Sequence, residues 1–422
     1  MKLVYLLLVM AVVCGCSNTD VIKTEDNVTE VIEQQIIDDV VETIDEQNND
    51  TEEFESGETE VIEDEKDDEE IVTEIIDENE TKELFGEYYA RAEEQMQSMT
   101  LEEKISQMFL VQYPGKTKAE DEVSKYCPGG YILFAKDVEN ETKDSLSNLI
   151  TSFQDESKAK MFFAVDEEGG PVIRISNYSQ YRSKPFSSVR KLYNNGGMDS
   201  VIEDSKEKSL LLNSLGINMN LTPVVDIPTN SNSYMYSRAI STDEAVVSEF
   251  SSKIIARMNE DKMVASMKHF PGYGDNVDTH TGIAIDERSL DDFRKKDFKP
   301  FVAGIEMGVP TIMVNHNIIK NIDDSMPASI SKNVHDILRE ELEFSGLIIT
   351  DSLAMDAIKK YVQNGEAAVQ AVISGNDMII TASLEAHVNE VVNAINDGRI
   401  TEEQINTAVR RILACKMSYG II

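Results

Sequence analysis

The chain has 422 residues, of which 78 are Asp or Glu and 39 are Lys or Arg, so its formal net charge is −39. This acidic excess argues against nucleic acid as a partner, because the protein would repel phosphate rather than neutralise it. Four cysteines in a chain of this length do not suggest a disulfide framework, and no CxxC spacing indicates a zinc site. A hydrophobic content of 41% is sufficient for a large core.

The first residues predict an export signal with a lipid attachment site. An apolar run from Leu3 to Val13 precedes small residues and Cys16, and it is shorter than the roughly 20 residues that span a bilayer. Val13-Cys14-Gly15-Cys16 resembles the bacterial lipobox, in which the cysteine after a small residue is diacylated and becomes the mature N-terminus. We therefore expect residues 1–15 to be a signal peptide and Cys16 to anchor an exported protein to the bacterial cell membrane. An ordinary cleaved signal with an incidental cysteine is the alternative.

The acidic excess is concentrated in one low-complexity segment near the N-terminus. Residues 17–80 contain 27 acidic side chains and only two basic ones. Their apolar residues are mostly isolated Val-Ile pairs, and the sequence TEVIE occurs at both 29–33 and 59–63. Such a composition cannot bury enough apolar surface to fold, and its like charges repel one another. We therefore predict that residues 16–82 form a disordered acidic tether. A transient amphipathic helix without a role is the alternative.

From residue 83 onward, short apolar runs alternate with longer amphipathic stretches. Most of the runs lack polar alternation, as expected of strands buried on both faces. The runs lie at 108–113, 130–135, 161–166, 219–227, 263–270, 311–316, 346–351 and 377–382. Helical patterns lie at 143–158, 200–215, 244–260, 289–306, 331–343 and 387–396. This alternation predicts an α/β fold, a (β/α)8 TIM-type barrel that forms a single catalytic domain over residues 83–422. A doubly wound open sheet is the alternative, but its usual glycine-rich phosphate turn does not follow the first strand.

Polar side chains stand at the predicted carboxyl ends of five of the eight strands. They are Asp166, Asp226, Lys268-His269, Asn315-His316 and Asp351. Charged groups at the end of a buried strand are costly unless they line a wet cleft. In a (β/α)8 barrel this edge of the sheet carries the active site. The pattern therefore favours a catalytic barrel over a purely structural one.

The densest group of such residues is the segment KHFPGYGDNVDTH at 268–280. Its proline and glycines predict a tight loop after the fifth strand. Two of the five histidines of the chain lie here, and Asp278 is only two residues from His280, so the loop can set the carboxylate against the imidazole. Such a contact orients the ring and keeps its pKa near neutrality, as a general acid/base requires. A solvent-exposed loop histidine is the alternative.

Two further segments carry a carboxylate at a predicted strand end. Asp351 ends the apolar run LIITD, where it can serve as a nucleophile, a metal ligand or the N-cap of the following helix. Asp166 begins the segment DEEGGPVIR, whose glycines let the backbone approach a ligand and whose Arg174 can pair with a carboxylate. A structural turn with a surface ion pair is the alternative for this second segment.

In combination, these motifs resemble glycoside hydrolase family 3, and within it the β-N-acetylhexosaminidases of the NagZ type. The segment at 268–280 resembles the family's KHFPGHGDTxxDSH, IITDSLAM resembles (S/T)D-x-L-x-M, VDEEGGPVIR resembles (V/I)DQEGGRVxR, and SRAI resembles (S/E)R-(S/A)-(F/Y). The motifs occur in the family order over residues 90–420. Tyr273 replaces a usual His and Pro171 a common Arg, so we expect altered loop packing or specificity rather than inactivity. The sequence ends soon after Leu413, and we expect the second α/β domain of many relatives to be missing.

The resemblance also implies residue roles and a reaction. Asp351 aligns with the nucleophile that forms a glycosyl-enzyme, His280 with the general acid/base and Asp278 with its partner. The residues that align with those holding a terminal N-acetylglucosamine are Asp166, Arg174, Arg238, Lys268 and His269. The implied activity is that of an exo-acting retaining β-N-acetylhexosaminidase on cell-wall fragments or chitooligosaccharides. We expect no metal or other cofactor, because the histidines lack the spacing of helical metal ligands.

Three alternatives to this activity stay open at the level of the sequence. Phosphate in place of water would make the protein a β-N-acetylglucosaminide phosphorylase, and a β-glucosidase of the same family is a second enzyme reading. The third is a surface lipoprotein with a decayed barrel that binds sugars without turnover, although the retention of Asp351, Asp278 and His280 argues against decay. In each case we expect a monomer whose partners are a carbohydrate and a membrane.

Overall fold

All eight predicted apolar runs contain a strand in the computed structural model of the protein, which describes residues 82–279, 282, 284–359, 361–362 and 366–422. The predicted signal peptide, and the predicted tether apart from Lys82, lie outside the described residues. In the described part of the chain, strands β1 to β10 are Phe109–Gln112, Gly130–Ile132, Phe162–Val165, Met219–Asn220, Val264–Phe270, Ile285–Asp286, Thr311–Val314, Ile318–Ile319, Leu347–Thr350 and Ile379–Thr381.

Eight of these strands form one parallel sheet that closes on itself almost completely. Their order is β10-β1-β2-β3-β4-β5-β7-β9, and each neighbouring pair is parallel. The two outer strands of that order also meet, because Ile349 bridges Met378 and the Asp377 amide donates a 2.9 Å hydrogen bond to the Ile348 carbonyl. The fold is therefore the predicted TIM-type barrel. The short strands β6 and β8 pair with each other outside this sheet.

Helices connect the barrel strands, as right-handed crossovers between parallel strands require. In the described residues, α1 to α14 are Tyr89–Gln97, Leu101–Gln107, Lys116–Tyr126, Ala135–Val138, Lys143–Glu156, Val189–Ser214, Glu244–Glu260, Leu290–Asp292, Phe298–Glu306, Lys332–Asp336, Asp356–Lys359, Ala367–Ser374, Leu384–Asn396 and Glu402–Ser418. Short 3-10 helices lie at Gly86–Tyr88 and Ala328–Ile330, and π-helical turns lie at Phe293–Asp297 and Ile337–Glu341.

Several helices begin at side chains that satisfy free backbone amides. Thr142 and Thr401 cap α5 and α14 with reciprocal capping boxes, and the Asp243 side chain accepts from the Ala245 amide at the start of α7. The six predicted helical segments each contain a helix. The segment predicted at 200–215 begins earlier, at the start of α6, and this helix is interrupted at Gly197, where φ is 69°.

None of the helices in the described residues combines the length and the hydropathy that crossing a bilayer requires. The core instead consists of the barrel strands and the inner faces of their helices. Aromatic side chains fill much of it. Phe270 stacks on Phe298 with ring centroids 5.4 Å apart and meets Phe301 edge to face at 5.1 Å, which packs β5 against α9.

A buried carboxylate holds β9 and β10 together where the barrel closes. Asp377, which is 2% exposed, accepts a 2.7 Å hydrogen bond from the Ile348 amide and pairs with the guanidinium groups of Arg339 and Arg411. Arg339 also donates to the carbonyl of Gly346 at 2.7 Å, just before β9. The cluster thus ties both closing strands to α14 and to the turn before β9.

We predict that Asp377→Ala lowers the free energy of unfolding by about 3–5 kcal/mol, because it leaves two largely buried guanidinium groups without their carboxylate. Urea denaturation followed by circular dichroism measures the change. Asp397→Ala is the matched control, because this carboxylate is 65% exposed, and we expect a change within about 0.5 kcal/mol. Equal losses in the two variants would contradict the role assigned to Asp377.

Candidate active site

A cavity of about 550 Å³ lies at the carboxyl ends of the barrel strands. Buried apolar residues of the strands and strand ends close it toward the barrel interior, among them Ile132, Leu221, Met313 and Ile380. Its polar lining consists of Gln112, Lys136, Asp166, Glu168, Arg174, Tyr234, Arg238, Lys268, His269, Asp351 and Ser352. The volume falls within the roughly 300–1,000 Å³ that is typical of small-molecule sites.

Asp351 lines this cavity directly after β9. Its amide donates a 2.9 Å hydrogen bond to the Val314 carbonyl, which continues the pairing of β9 with β7 for one residue. Its Oδ1 accepts from the Ser352 amide at 2.7 Å, and the Ser352 hydroxyl in turn accepts from Gln112 at 3.0 Å. The next helix begins only at Asp356. Asp351 is therefore not an N-cap, which removes one of the alternatives that its sequence position left open.

Four charged residues form a cluster in the wall of the cavity. The Lys268 ammonium, on a side chain that is 2% exposed, lies 2.6 Å from Asp166 Oδ1 and 2.8 Å from Glu168 Oε1. Glu168 also accepts from Arg238 Nη2 at 2.7 Å and from Nε at 2.9 Å, a bidentate pair. Two anions thus face two cations in this cluster, and Arg174 lies 3.4 Å from Asp166 as a further cation, so the buried carboxylates are compensated.

Glu168 and Lys268 stay ionised despite their burial because oppositely charged neighbours stabilise them. Burial alone would raise the pKa of Glu168, but Arg238 and Lys268 outweigh it and hold that pKa well below its usual range. For Lys268, burial acts to lower the pKa, and Asp166 and Glu168 more than compensate, so the pKa is raised. These two side chains therefore present fixed charges over the whole physiological pH range.

A bulge in β5 lets two consecutive residues reach the same cavity. In a regular strand, Lys268 and His269 would point to opposite faces of the sheet. Here Lys268 pairs with Met313 and Phe270 with Val314, so the register shifts between them and His269 is the additional residue. Both side chains consequently line the cavity.

The hydrogen-bond roles of the His269 ring follow from its two neighbours. Asp226 Oδ2 lies 2.7 Å from Nδ1, and Arg238 Nη2, which can only donate, lies 3.4 Å from Nε2. This geometry has Nδ1 donating to Asp226 and Nε2 facing a donor. Asp226 also accepts from the Tyr273 amide at 2.7 Å, so this strand-tip carboxylate supports the cavity wall without lining the cavity itself.

The loop 166–174 is shaped by contacts within the chain. Arg174 Nη2 lies 3.4 Å from Asp166 Oδ2, which confirms the pairing that the sequence allowed. Fully buried Glu167 accepts from the amides of Arg174 and Ile175 at 2.8 and 2.7 Å. At Gly169, where φ is 98°, an added Cβ would lie 2.3 Å from the Ser187 carbonyl. This glycine thus lets the loop pack closely against Ser187 of the same chain, and the close approach is not to a ligand.

The residues predicted for proton transfer lie only partly within the described part of the chain. Asp278 is half-buried in the loop after β5, close enough to Tyr234 and Tyr273 to raise the pKa of each phenol beside the larger effect of burial. His280 lies outside the described residues. The predicted contact between Asp278 and His280 therefore stays a prediction.

The remaining predicted strand-end residues have supporting positions. Asn315 donates to the His269 carbonyl at 3.1 Å. The two ring nitrogens of fully buried His316 lie 2.7 Å from Ser329 Oγ and 2.9 Å from the Ser352 carbonyl, so this ring packs behind the loop that carries Asp351. In the described residues, no group of three or more His, Cys, Asp or Glu side chains is arranged to hold a metal ion.

The sequence did not single out Glu168, Tyr234 or Gln112 as site residues. Glu168 stands next to Glu167 in a run of three acidic residues. Only the fold shows that Glu168 pairs with Arg238, whereas Glu167 accepts from amides of its own loop. The sequence holds no local signal that separates them, because β3 ends at Val165 and strand alternation does not extend to residue 168.

Comparisons with known proteins agree with this geometry. A relative named Beta-hexosaminidase A from Pseudoalteromonas piscicida is 28% identical over 322 residues, which are 70% of this chain and 54% of the relative. A Beta-hexosaminidase from Nitrosomonas eutropha is 32% identical over 272 residues, which are 63% of this chain and 77% of the relative. The chain thus spans about half the length of the first relative.

A solved structure, a glycoside hydrolase family 3 beta-N-acetylglucosaminidase from Paenibacillus sp. str. FPU-7, superimposes with a TM-score of 0.72 at 27% identity, over 77% of this chain and 63% of that one. The family model described as "Glycosyl hydrolase family 3 N terminal domain" matches residues 100–415. Since this match covers well over half of the 422 residues, the chain belongs to glycosyl hydrolase family 3.

Proposed function

We propose that the protein is an exo-acting, retaining β-N-acetylhexosaminidase that removes terminal N-acetylglucosamine from cell-wall fragments or chitooligosaccharides. The observation that carries the proposal is that Asp351 shares one cavity with the charged cluster of Asp166, Glu168, Arg238 and Lys268. The names of the relatives, β-hexosaminidases and a β-N-acetylglucosaminidase, support the choice of sugar.

The choice of a chain end as the substrate rests on the resemblance to exo-acting members of the family. Apolar strand residues close the cavity toward the barrel interior, so a glycan enters from the side of the strand tips. The charged cluster offers fixed hydrogen-bond partners for the hydroxyl and acetamido groups of the terminal sugar.

The proposed reaction has two displacement steps at the anomeric carbon. An oxygen of Asp351 attacks this carbon while His280 gives a proton to the departing glycosidic oxygen, and a covalent glycosyl-enzyme forms. Water then loses a proton to the same imidazole, attacks the anomeric carbon and releases Asp351. Two inversions give net retention of configuration. In this scheme Asp278 orients the imidazole and stabilises its protonated form.

We also propose that the protein is exported and anchored to the outer face of the cell membrane through a diacylated Cys16. The support is the sequence of residues 1–16, an apolar run followed by Gly15 and Cys16. Export would place the site where cell-wall fragments and chitooligosaccharides occur.

We expect Asp351→Asn to reduce turnover of 4-nitrophenyl N-acetyl-β-glucosaminide by about 10³-fold or more, equivalent to ~4 kcal/mol of barrier, because an amide cannot act as the nucleophile. Release of nitrophenol measures the rate. Asp155→Asn is the matched control, because this carboxylate is 74% exposed and precedes β3, at the far end of the barrel, and it should keep full activity. Folded wild-type protein that releases nitrophenol faster from the glucoside than from the N-acetylglucosaminide would contradict the proposed sugar.

The low pKa of Glu168 also predicts how the free energy of unfolding changes with pH. Because the pKa of Glu168 is lower in the folded than in the unfolded protein, its contribution is fully present above the ordinary value of 4.5 and is lost as the pH falls further. The loss is as much as about 1.4 kcal/mol per pH unit. We therefore expect the difference in unfolding free energy between wild type and Glu168→Gln to shrink from pH 6 to pH 3.5 in urea titrations. A difference that stays constant over this range would contradict the low pKa.

We expect Cys16→Ser to release the protein from the membrane fraction of a bacterial host and to abolish labelling by an alkynyl fatty acid, because no thiol remains for the thioether bond. Cys14→Ser is the matched control and should change neither result. A wild-type protein that stays in the soluble fraction, or a Cys14→Ser variant that loses its label, would contradict the assignment to Cys16.

A further inference from the structure

The phenol of Tyr273 makes an unusual set of contacts with the loop that follows β5. Its oxygen accepts a 2.8 Å hydrogen bond from the Thr279 amide and donates to the Val277 carbonyl at 3.1 Å. It also lies 3.0 Å from Thr279 Oγ1. The hydroxyl thus acts as an acceptor toward the Thr279 amide and as a donor toward the loop.

These contacts enclose one residue, Asp278. The Val277 carbonyl belongs to the peptide group before Asp278, and the Thr279 amide belongs to the peptide group after it. When both peptide groups are tied to one oxygen atom, the two backbone dihedral angles between them are fixed, and with them the direction of the Cα–Cβ bond. In the described residues, this phenol is the partner that the Val277 carbonyl and the Thr279 amide have in common.

The ring that carries this hydroxyl is itself held by the barrel. Tyr273 is 2% exposed and packs against Val224 and Met235. Its ring meets the ring of His269 edge to face at 5.6 Å, and its amide donates to Asp226 at 2.7 Å. The phenol oxygen therefore has a position defined by the strand ends, not by the loop.

The rest of the loop is fixed from other sides. Asp275 accepts from the amides of Thr229 and Asn230, both at 2.9 Å, and Asn276 donates to Asp286 at 2.6 Å. These hydrogen bonds hold the loop as far as residue 276. The Tyr273 hydroxyl contacts residues 277 and 279, so it holds the part of the loop that contains Asp278.

We propose that Tyr273 is a positioning residue whose hydroxyl sets the direction of the Asp278 carboxylate for proton transfer. The inference rests on the proposed function, in which Asp278 is the partner of the general acid/base. The proposal gives a role to Tyr273, which stands where the family motif usually has a histidine. The phenol touches neither the sugar nor the reacting atoms in this role, and it acts through the backbone of residues 277–279.

Tyr273→Phe tests the proposal, because it removes one oxygen and keeps the ring. A misdirected general acid slows cleavage when the leaving group must be protonated, as a sugar hydroxyl must. It has little effect when the leaving group departs as a stable anion, as dinitrophenolate does. We expect kcat/KM to fall about tenfold or more on chitobiose, and by less than about twofold on the 2,4-dinitrophenyl N-acetyl-β-glucosaminide. Thr279→Ala, which removes one of the three contacts, should show a smaller loss with the same dependence on the leaving group.

Hydrogen exchange of the Thr279 amide supplies a readout that does not depend on activity. We expect this amide to exchange about tenfold faster or more in Tyr273→Phe, because its acceptor is gone. Tyr419→Phe is the matched control: its hydroxyl donates to Asn259 at 2.6 Å, near the start of β5 at the opposite end of the barrel, and neither exchange at Thr279 nor kinetics should change.

The outcomes separate this proposal from the proposed function. Wild-type protein that cleaves neither substrate would refute the proposed function, and unchanged exchange at Thr279 in Tyr273→Phe would refute the positioning. Equal losses of kcat/KM on chitobiose and on the dinitrophenyl substrate would also overturn it, since a general loss of structure acts on both.

Discussion

The site depends on a lysine that the fold has removed from water. Lys268 is 2% exposed, and an isolated ammonium group in such a place would lose its charge. It keeps the charge because Asp166 and Glu168 face it from another strand end and Arg238 balances the second carboxylate. The buried charges of Lys268, Glu168 and Arg238 thus compensate one another. The cluster consequently forms only when the barrel brings β3 and β5 to their final separation, and it adopts one arrangement.

The second constraint is the register of β5 against β7. The register shifts at His269, and the ammonium and the imidazole of adjacent residues both lie in the cavity wall. Asp226 fixes the orientation of the ring through Nδ1. A strand that is buried along its whole length thus delivers two different functional groups from adjacent positions, which a regular strand cannot do.

The barrel and its strand ends could be predicted from the sequence because strands buried on both faces are continuous apolar runs, and a polar residue at the end of such a run is conspicuous. Asp166, Lys268 and Asp351 were recognised in this way, and the structure places them in one cavity. Local pattern could not show which of Glu167 and Glu168 faces the cavity, nor that Gly169 accommodates Ser187, because these depend on segments distant in the chain. The N-cap alternative for Asp351 was likewise decided only by where the next helix begins.

Asp226 contacts both the cavity wall and the start of the loop after β5. This double contact explains how the loop can accept different side chains at position 273. One of its oxygens holds His269 in the wall, and the other accepts from the amide of residue 273. The second bond uses the backbone, so it is available to any residue except proline. The start of the loop is therefore anchored through the backbone, whichever side chain stands at this position. In this chain the side chain ends in a phenol, whose oxygen contacts the peptide groups on both sides of Asp278. The scaffold thus separates a fixed, charged cavity wall from a loop that one side chain, Tyr273, holds on both sides of Asp278.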